Sequence, residues 1–341
     1  MTKRFLFVGD VHIKPDNRDE IHLLLAEMLQ HLADHNYDAI VLGGDVMHYH
    51  ERLFTPALNT ALHFIQTLST LMPVYVLVGN HDYINNSQFL TDHHWMNVLK
   101  TWKNVHVIDR PRQEEEVMWL PYVPPGRFVE ALETLTTRWN YAELIFAHQE
   151  FRGCKMGAVV STEGDEWDDE YPLVISGHIH DHQTIGQKIV YPGTPLQHAF
   201  GDSTVRRLCA VEVDAEGARL CWIDLNVPKK HIVTCKWNEV ADQKWDRFSS
   251  TDKVKLKVEA TPEQFTLFRG TAEYKTLLQR GVKVHLVPMS SKSSSSSSSS
   301  DELSSSSSDS SPLQFLEVMN QRVAKDDEWV QKLWSNMLSS I

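Results

Sequence analysis

The sequence predicts an α/β fold organised around a parallel sheet, and three observations carry that prediction. Short apolar stretches rich in Val, Ile, Leu and aromatics recur at residues 5–8, 39–42, 74–78, 144–146 and 173–175, as buried strands do. Between the first three lie segments with apolar residues at helical spacing. Each apolar stretch then runs within a few residues into a short cluster of His, Asp or Asn.

The elements follow in order. Residues 5–8 lead into Gly9 and then Asp10-Val11-His12. A helix is expected at 20–35, where Leu24, Met28 and Leu32 share a face, and a second at 56–71, with Leu58, Leu62, Ile65 and Leu68. Residues 39–42 end at Gly44-Asp45, and 74–78 end at Gly79-Asn80-His81-Asp82. The later stretches end at Ala147-His148-Gln149 and Gly177-His178-Ile179-His180. Alternating strand and helix imply parallel strands with right-handed crossovers, so the strand ends share one edge of the sheet, where ligands gather. Asp10, His12, Asp45 and Asn80 are expected to converge there. Glycines directly before these clusters suit sharp turns in which a Cβ has no room.

Residues 208–213 and 218–223 alternate around a turn and read as a hairpin closing a first domain of residues 1–225. A small α/β cap is expected at 226–289: a strand at 254–258, a helix from Thr261 to Gly281 and a strand at 282–287. Thr261 with Gln264 makes a capping box, Pro262 suits the first helical position, and Gly281 suits a helix end. Lys253, Lys255 and Lys257 alternate with Val254, Leu256 and Val258, which puts three lysines on one strand face. That face is either solvated or tracks phosphates. Residues 290–311, dominated by Ser, have too few apolar groups to offset chain entropy and read as a disordered linker. Residues 312–341 read as a helical tail with two apolar stripes, one of them Val330, Leu333, Trp334, Met337 and Ile341.

Composition bounds the function. With 341 residues and 42% hydrophobic content the chain can bury a large core. Cys154, Cys209, Cys221 and Cys235 show no metal-binding spacing, and no apolar run is long enough to span a membrane, so an intracellular, cytoplasmic setting is expected. The net charge of −12 argues against indiscriminate attraction to nucleic acid. Part of it is local: 163–170 holds six acids in eight residues, expected as an exposed loop.

The ordered clusters resemble the calcineurin-like metallophosphoesterase superfamily over roughly residues 1–200, and three details resemble its SbcD-type DNA double-strand-break repair branch. These are Gly44-Asp45-Val46-Met47-His48 with its terminal His, Gly79-Asn80-His81-Asp82 with Asp last, and Tyr191-Pro192-Gly193-Thr194-Pro195. Tyr83 departs from the Ser of many bacterial members. The resemblance implies a two-sheet αββα sandwich followed by a small α/β cap and a C-terminal helical tail. It implies that Asp10, His12 and His180 hold one divalent ion, that Asn80, His148 and His178 hold another, and that Asp45 bridges them. Such ions acidify a water, align it with phosphorus and neutralise phosphate charge. Oxygen and imidazole ligands suit Mn2+, with Mg2+, Fe2+ or Zn2+ as alternatives. His81 is then expected to serve the leaving oxygen, Asp82 to orient His81, and His48 to position substrate or to pack. The implied activity is a DNA exonuclease with single-strand endonuclease activity. Its implied partners are DNA and an SbcC-type coiled-coil ATPase held by the C-terminal helices; a homodimer is also compatible. A phosphodiesterase of small nucleotides is the enzyme alternative, and a non-catalytic metal-bound scaffold the alternative of another class.

Overall fold

The structure, a computed structural model, describes residues 2–289; the expected linker at 290–311 and tail at 312–341 lie outside the described residues. Its N-terminal part alternates as predicted: β1 (Lys3–Val8), α1 (Arg18–Asp34), β2 (Ala39–Leu42), α2 (Thr55–Ser69), β3 (Val74–Leu77) and β4 (Val105–Ile108). β1 to β4 pair in parallel. A second sheet is assembled from β5 (Arg112–Glu114), β6 (Val117–Trp119) and, after the short helix α3 (Phe128–Leu132), β7 (Leu144–His148). A small hairpin, β8 (Lys155–Met156) and β9 (Val159–Val160), precedes the rest of that sheet: β10 (Leu173–Gly177), β11 (Gln183–Ile185) and β12 (Ile189–Tyr191). The expected hairpin follows as β13 (Arg207–Asp214) and β14 (Gly217–Asp224). β13 returns to pair antiparallel with β1, giving the order β14-β13-β1-β2-β3-β4; the second sheet runs β11-β12-β10-β7-β6-β5.

Alternation along the strands explains why two sheets stack. On β1, Leu6 and Val8 pack with Leu24, Met28, Phe64 and Ile65 of α1 and α2, while Phe5 and Phe7 face the other way. There they meet Trp119, Phe146 and Ile175 of the second sheet. Phe7 stacks on Phe146 at 5.8 Å between centroids, and Phe5 stands edge-on to Trp119 at 5.7 Å. Such pairs contribute about 0.5–1.5 kcal/mol each beyond area burial. The far face of the second sheet packs on α3 through Met118, Ile145, Phe128 and Leu132, completing the αββα sandwich.

After β14 come β15 (Lys230–Lys236), β16 (Lys253–Ala260), α4 (Pro262–Arg269), α5 (Ala272–Gln279) and β17 (Lys283–Pro288), with the three strands parallel. Thr261 and Gln264 form the capping box. The single helix expected from Thr261 to Gly281 is instead two, because Thr271 accepts from the Tyr274 amide and starts a new one after Gly270. The strand at 230–236 also went unpredicted. Val254, Leu256 and Val258 pack on Phe268 and Leu277. The lysine face of β16 is neither wholly solvated nor wholly free. Lys253 pairs with Glu20 and donates to the Asp16 carbonyl, Lys230 reaches the same Glu20, and Lys255 lies 4.5 Å from the Phe200 ring. The acidic segment at 163–170 is also only partly exposed: Asp165 is buried, accepting from the Phe128 amide and the Gln149 side chain.

Candidate metal centre

All seven expected ligands lie at the carboxyl ends of parallel strands. Asp10 and His12 follow β1, Asp45 follows β2, Asn80 follows β3, His148 ends β7, and His178 and His180 follow β10. The first sheet supplies four and the second three. Among the described residues their donor atoms form overlapping groups within 4.8 Å: Asp10, His12 and His180; Asp45, His148 and His178; and His12, Asp45 and His81. Asn80 joins the second group, its Oδ1 facing His178 Nδ1 at 2.9 Å and His148 Nε2 at 3.0 Å. Asn86 accepts from the Asn80 amide nitrogen, so the oxygen is the atom left for the centre.

The backbone is bent to achieve this. His12 (φ 48°), Asp45 (φ 48°) and His178 (φ 80°) occupy the left-handed region, which is unfavourable for these residue types and tolerated where surrounding structure enforces it. The close-packed turns leave no space beside them. A Cβ on Gly177 would lie 2.5 Å from Asp10 Oδ1 and 2.9 Å from His148 Nδ1. Gly177→Ala is therefore expected to destabilise the fold by about 1–3 kcal/mol, read as a lower Tm at fixed metal concentration. An unchanged Tm would mean that the ring of ligands has slack.

Charge explains why these groups suit cations. Asp10 and Asp45 are both buried, and burial raises Asp10 to about 7. Burial also opposes charge on His148, but Asp45 and Asp10 outweigh it and push the imidazole up to about 9. Against its own burial, Asp45 is held well below the usual carboxylate range by His148 and His12. Burial drives His12, His178 and His180 downward, keeping them neutral with a lone pair to offer. His12 Nε2 and His180 Nε2 face each other at 3.0 Å, and among the described residues the buried His12 Nδ1 has no hydrogen-bond partner. Two carboxylates, one amide oxygen and four imidazoles around a common space are a hard-to-borderline donor set that fits divalent cations. The outer contacts agree: the Gly43 carbonyl faces His148 Nδ1 at 2.7 Å, leaving Nε2 toward the centre, and the His178 amide donates to Asp10.

The three residues expected to serve catalysis separate. His81 stands at the centre, its Nδ1 2.6 Å from the His48 carbonyl and its amide donating to Asp45. Asp82 does not orient it. Its carboxylate accepts from the Val46, Met47 and Gly79 amides and from Trp95 Nε1, so it clamps the turn after β2 to the turn after β3. The His48 ring lies edge-on to His12 and parallel to His81, and burial lowers it to about 4. His50 stacks on His81 at 4.5 Å, and His198 packs on both His12 and His180. Glu150, 3.9 Å from His178 Nε2, was missed in the sequence. Its position two residues after His148 was the available signal.

The calcineurin-like phosphoesterase family profile matches residues 3–182. Phosphoesterase 078R of Invertebrate iridescent virus 3 is 43% identical over 289 residues, covering 82% of each chain. Phosphoesterase 244L of Invertebrate iridescent virus 6 is 42% identical over 275 residues, covering 78% of this chain and 97% of its own. A solved structure of GAP50, the anchor in the inner membrane complex of Plasmodium, superposes with a TM-score of 0.39 at 13% identity, over 65% of this chain and 84% of that one. The profile, the two viral relatives and the gathered ligand set lead to one conclusion: this chain belongs to the calcineurin-like phosphoesterase family, hydrolases of phosphoesters that use divalent metals.

Proposed function

We propose that the chain is a DNA nuclease of the SbcD type, using two divalent ions, Mn2+ foremost, and acting with a coiled-coil ATPase held through residues 312–341. The observation that carries this reading is the placement of a lysine-bearing sheet at the rim of the metal centre. His198 packs on two candidate ligands, and its neighbour Gln197 exchanges hydrogen bonds with Lys230 at the start of β15. A small phosphoester has no use for such an added wall; a polyanionic strand extending beyond the reacting phosphate does. Ions bound to the seven ligands supply Lewis acidity and a water of lowered pKa. The chain itself holds His81 by its Nδ1, which leaves Nε2 to meet a leaving oxygen.

One observation favours a small phosphodiester as the second reading: Lys253 and Lys230 both pair with Glu20, whose carboxylate cancels one of their two charges. The two are separated by comparing Mn2+-dependent cleavage of linear duplex DNA, circular single-stranded DNA and bis-p-nitrophenyl phosphate, with and without copurified ATPase. DNA cleavage stimulated by the ATPase is the expected result. Turnover confined to the small ester would overturn the nuclease reading.

A further inference from the structure

Beside the ligands lies a patch that the chemistry above does not use. Tyr49, Leu53 and Phe54, in the segment between β2 and α2, and Ile84, just past the Asn80–Asp82 turn, are each about two-fifths exposed (40%, 44%, 41% and 39%). Tyr49, Leu53 and Ile84 line a cleft of about 430 Å3 together with Trp95. Rings connect this cleft to the centre without a break. His81 stacks on His48 at 5.8 Å, His48 meets Tyr49 edge-to-face at 4.7 Å, and Tyr49 meets Phe54 at 5.2 Å. Glu51 and Asp92 stand in the walls with His93 and His94, Asp82 lies behind them, and among the described residues no Lys or Arg lines the cleft.

That combination selects its occupant. Carboxylate walls repel a second phosphate, whereas a neutral, flat, aromatic group stacks on an exposed ring and tolerates acidic neighbours. We propose that the cleft receives a nucleobase of the strand whose phosphodiester lies at the metal centre, splayed onto Tyr49. This rests on the nuclease reading and narrows it: a base can reach Tyr49 only after leaving its own stack, so the strand reacts where it is single or frayed. Tyr49 is a specificity residue in this scheme. It touches the base rather than the reacting atoms.

The test compares thymidine 5′-(p-nitrophenyl phosphate) with methyl p-nitrophenyl phosphate, which share a leaving group but differ in the nucleoside. The wild-type chain is expected to prefer the nucleoside ester. Tyr49→Ala is expected to lower the ratio of the two kcat/KM values about tenfold, through KM, while Tyr49→Phe keeps it. A readout independent of turnover comes from a single-stranded oligonucleotide ending in 2-aminopurine, bound with Ca2+ in place of Mn2+: its fluorescence is quenched by the wild type and by Tyr49→Phe, and recovers in Tyr49→Ala. If the wild type discriminates and Tyr49→Ala discriminates equally with quenching intact, the cleft takes something else, such as an apolar protein segment, and this proposal is wrong. If the wild type shows no preference and binds no oligonucleotide, the nuclease reading fails along with it.

Discussion

Replacing Asp45 by alanine is expected to remove nearly all hydrolysis of every phosphoester the protein accepts, a loss of at least about 10²–10³-fold, the scale seen when a preorganised group is removed from a reacting centre. Asp45 lies between the two sets of ligands. One of its oxygens accepts from the His81 amide at 2.8 Å and lies 3.4 Å from His148 Nε2, and the other lies 3.6 Å from His12 Nε2. Alanine removes the carboxylate that approaches both sets. Manganese-dependent turnover of bis-p-nitrophenyl phosphate by pure variant, checked for folding by circular dichroism, decides the matter. Substantial activity would exclude the shared centre.

The second large effect separates chemistry from metal retention. His81→Ser is expected to keep two ions by elemental analysis while losing about 10²–10⁴-fold in kcat, the usual contribution of a positioned acid or base. The geometry makes the experiment discriminating, because His81 also lies within ligand distance of His12 and Asp45. Loss of an ion in the variant would make His81 a ligand. Near-normal turnover with both ions present would leave it no part in the reaction.

Strand–helix alternation was legible because it depends on local pattern. Buried strands are apolar on both faces and the covering helices on one, so residues 5–8, 20–35 and 39–42 were recognisable from spacing alone. The grouping of candidate ligands was legible for a related reason: parallel strands bring their ends together whatever the sequence distance between them. What was not legible depends on contacts from far along the chain. β5 and β11 are three residues each and only partly buried, and they are strands only because β6 and β12 pair with them. Asp82 beside His81 reads the same whether it orients that imidazole or clamps the turn at Val46 and Met47; the partners that decide it lie 36 and 35 residues away. Similarly, a His such as His198 declares nothing about its neighbours until the segment after β12 folds back over Asp10, whose carbonyl lies 3.2 Å from its Nε2.

The position of β1 has a consequence for how the chain is made. One edge of β1 finds β2 within about forty residues, but the other waits for β13, whose Val213 pairs with Lys3, 213 − 3 = 210 residues later. At a synthesis rate of roughly 5–20 residues per second, that edge stays open for about 10–40 s. During that interval a ribosome-bound chain presents the unpaired backbone edge of residues 3–7 to neighbouring nascent chains. Productive yield in a crowded cell is therefore governed by what shields the first strand until the last hairpin arrives. Fusing a solubilising domain to the N-terminus protects that edge at the time it is most vulnerable.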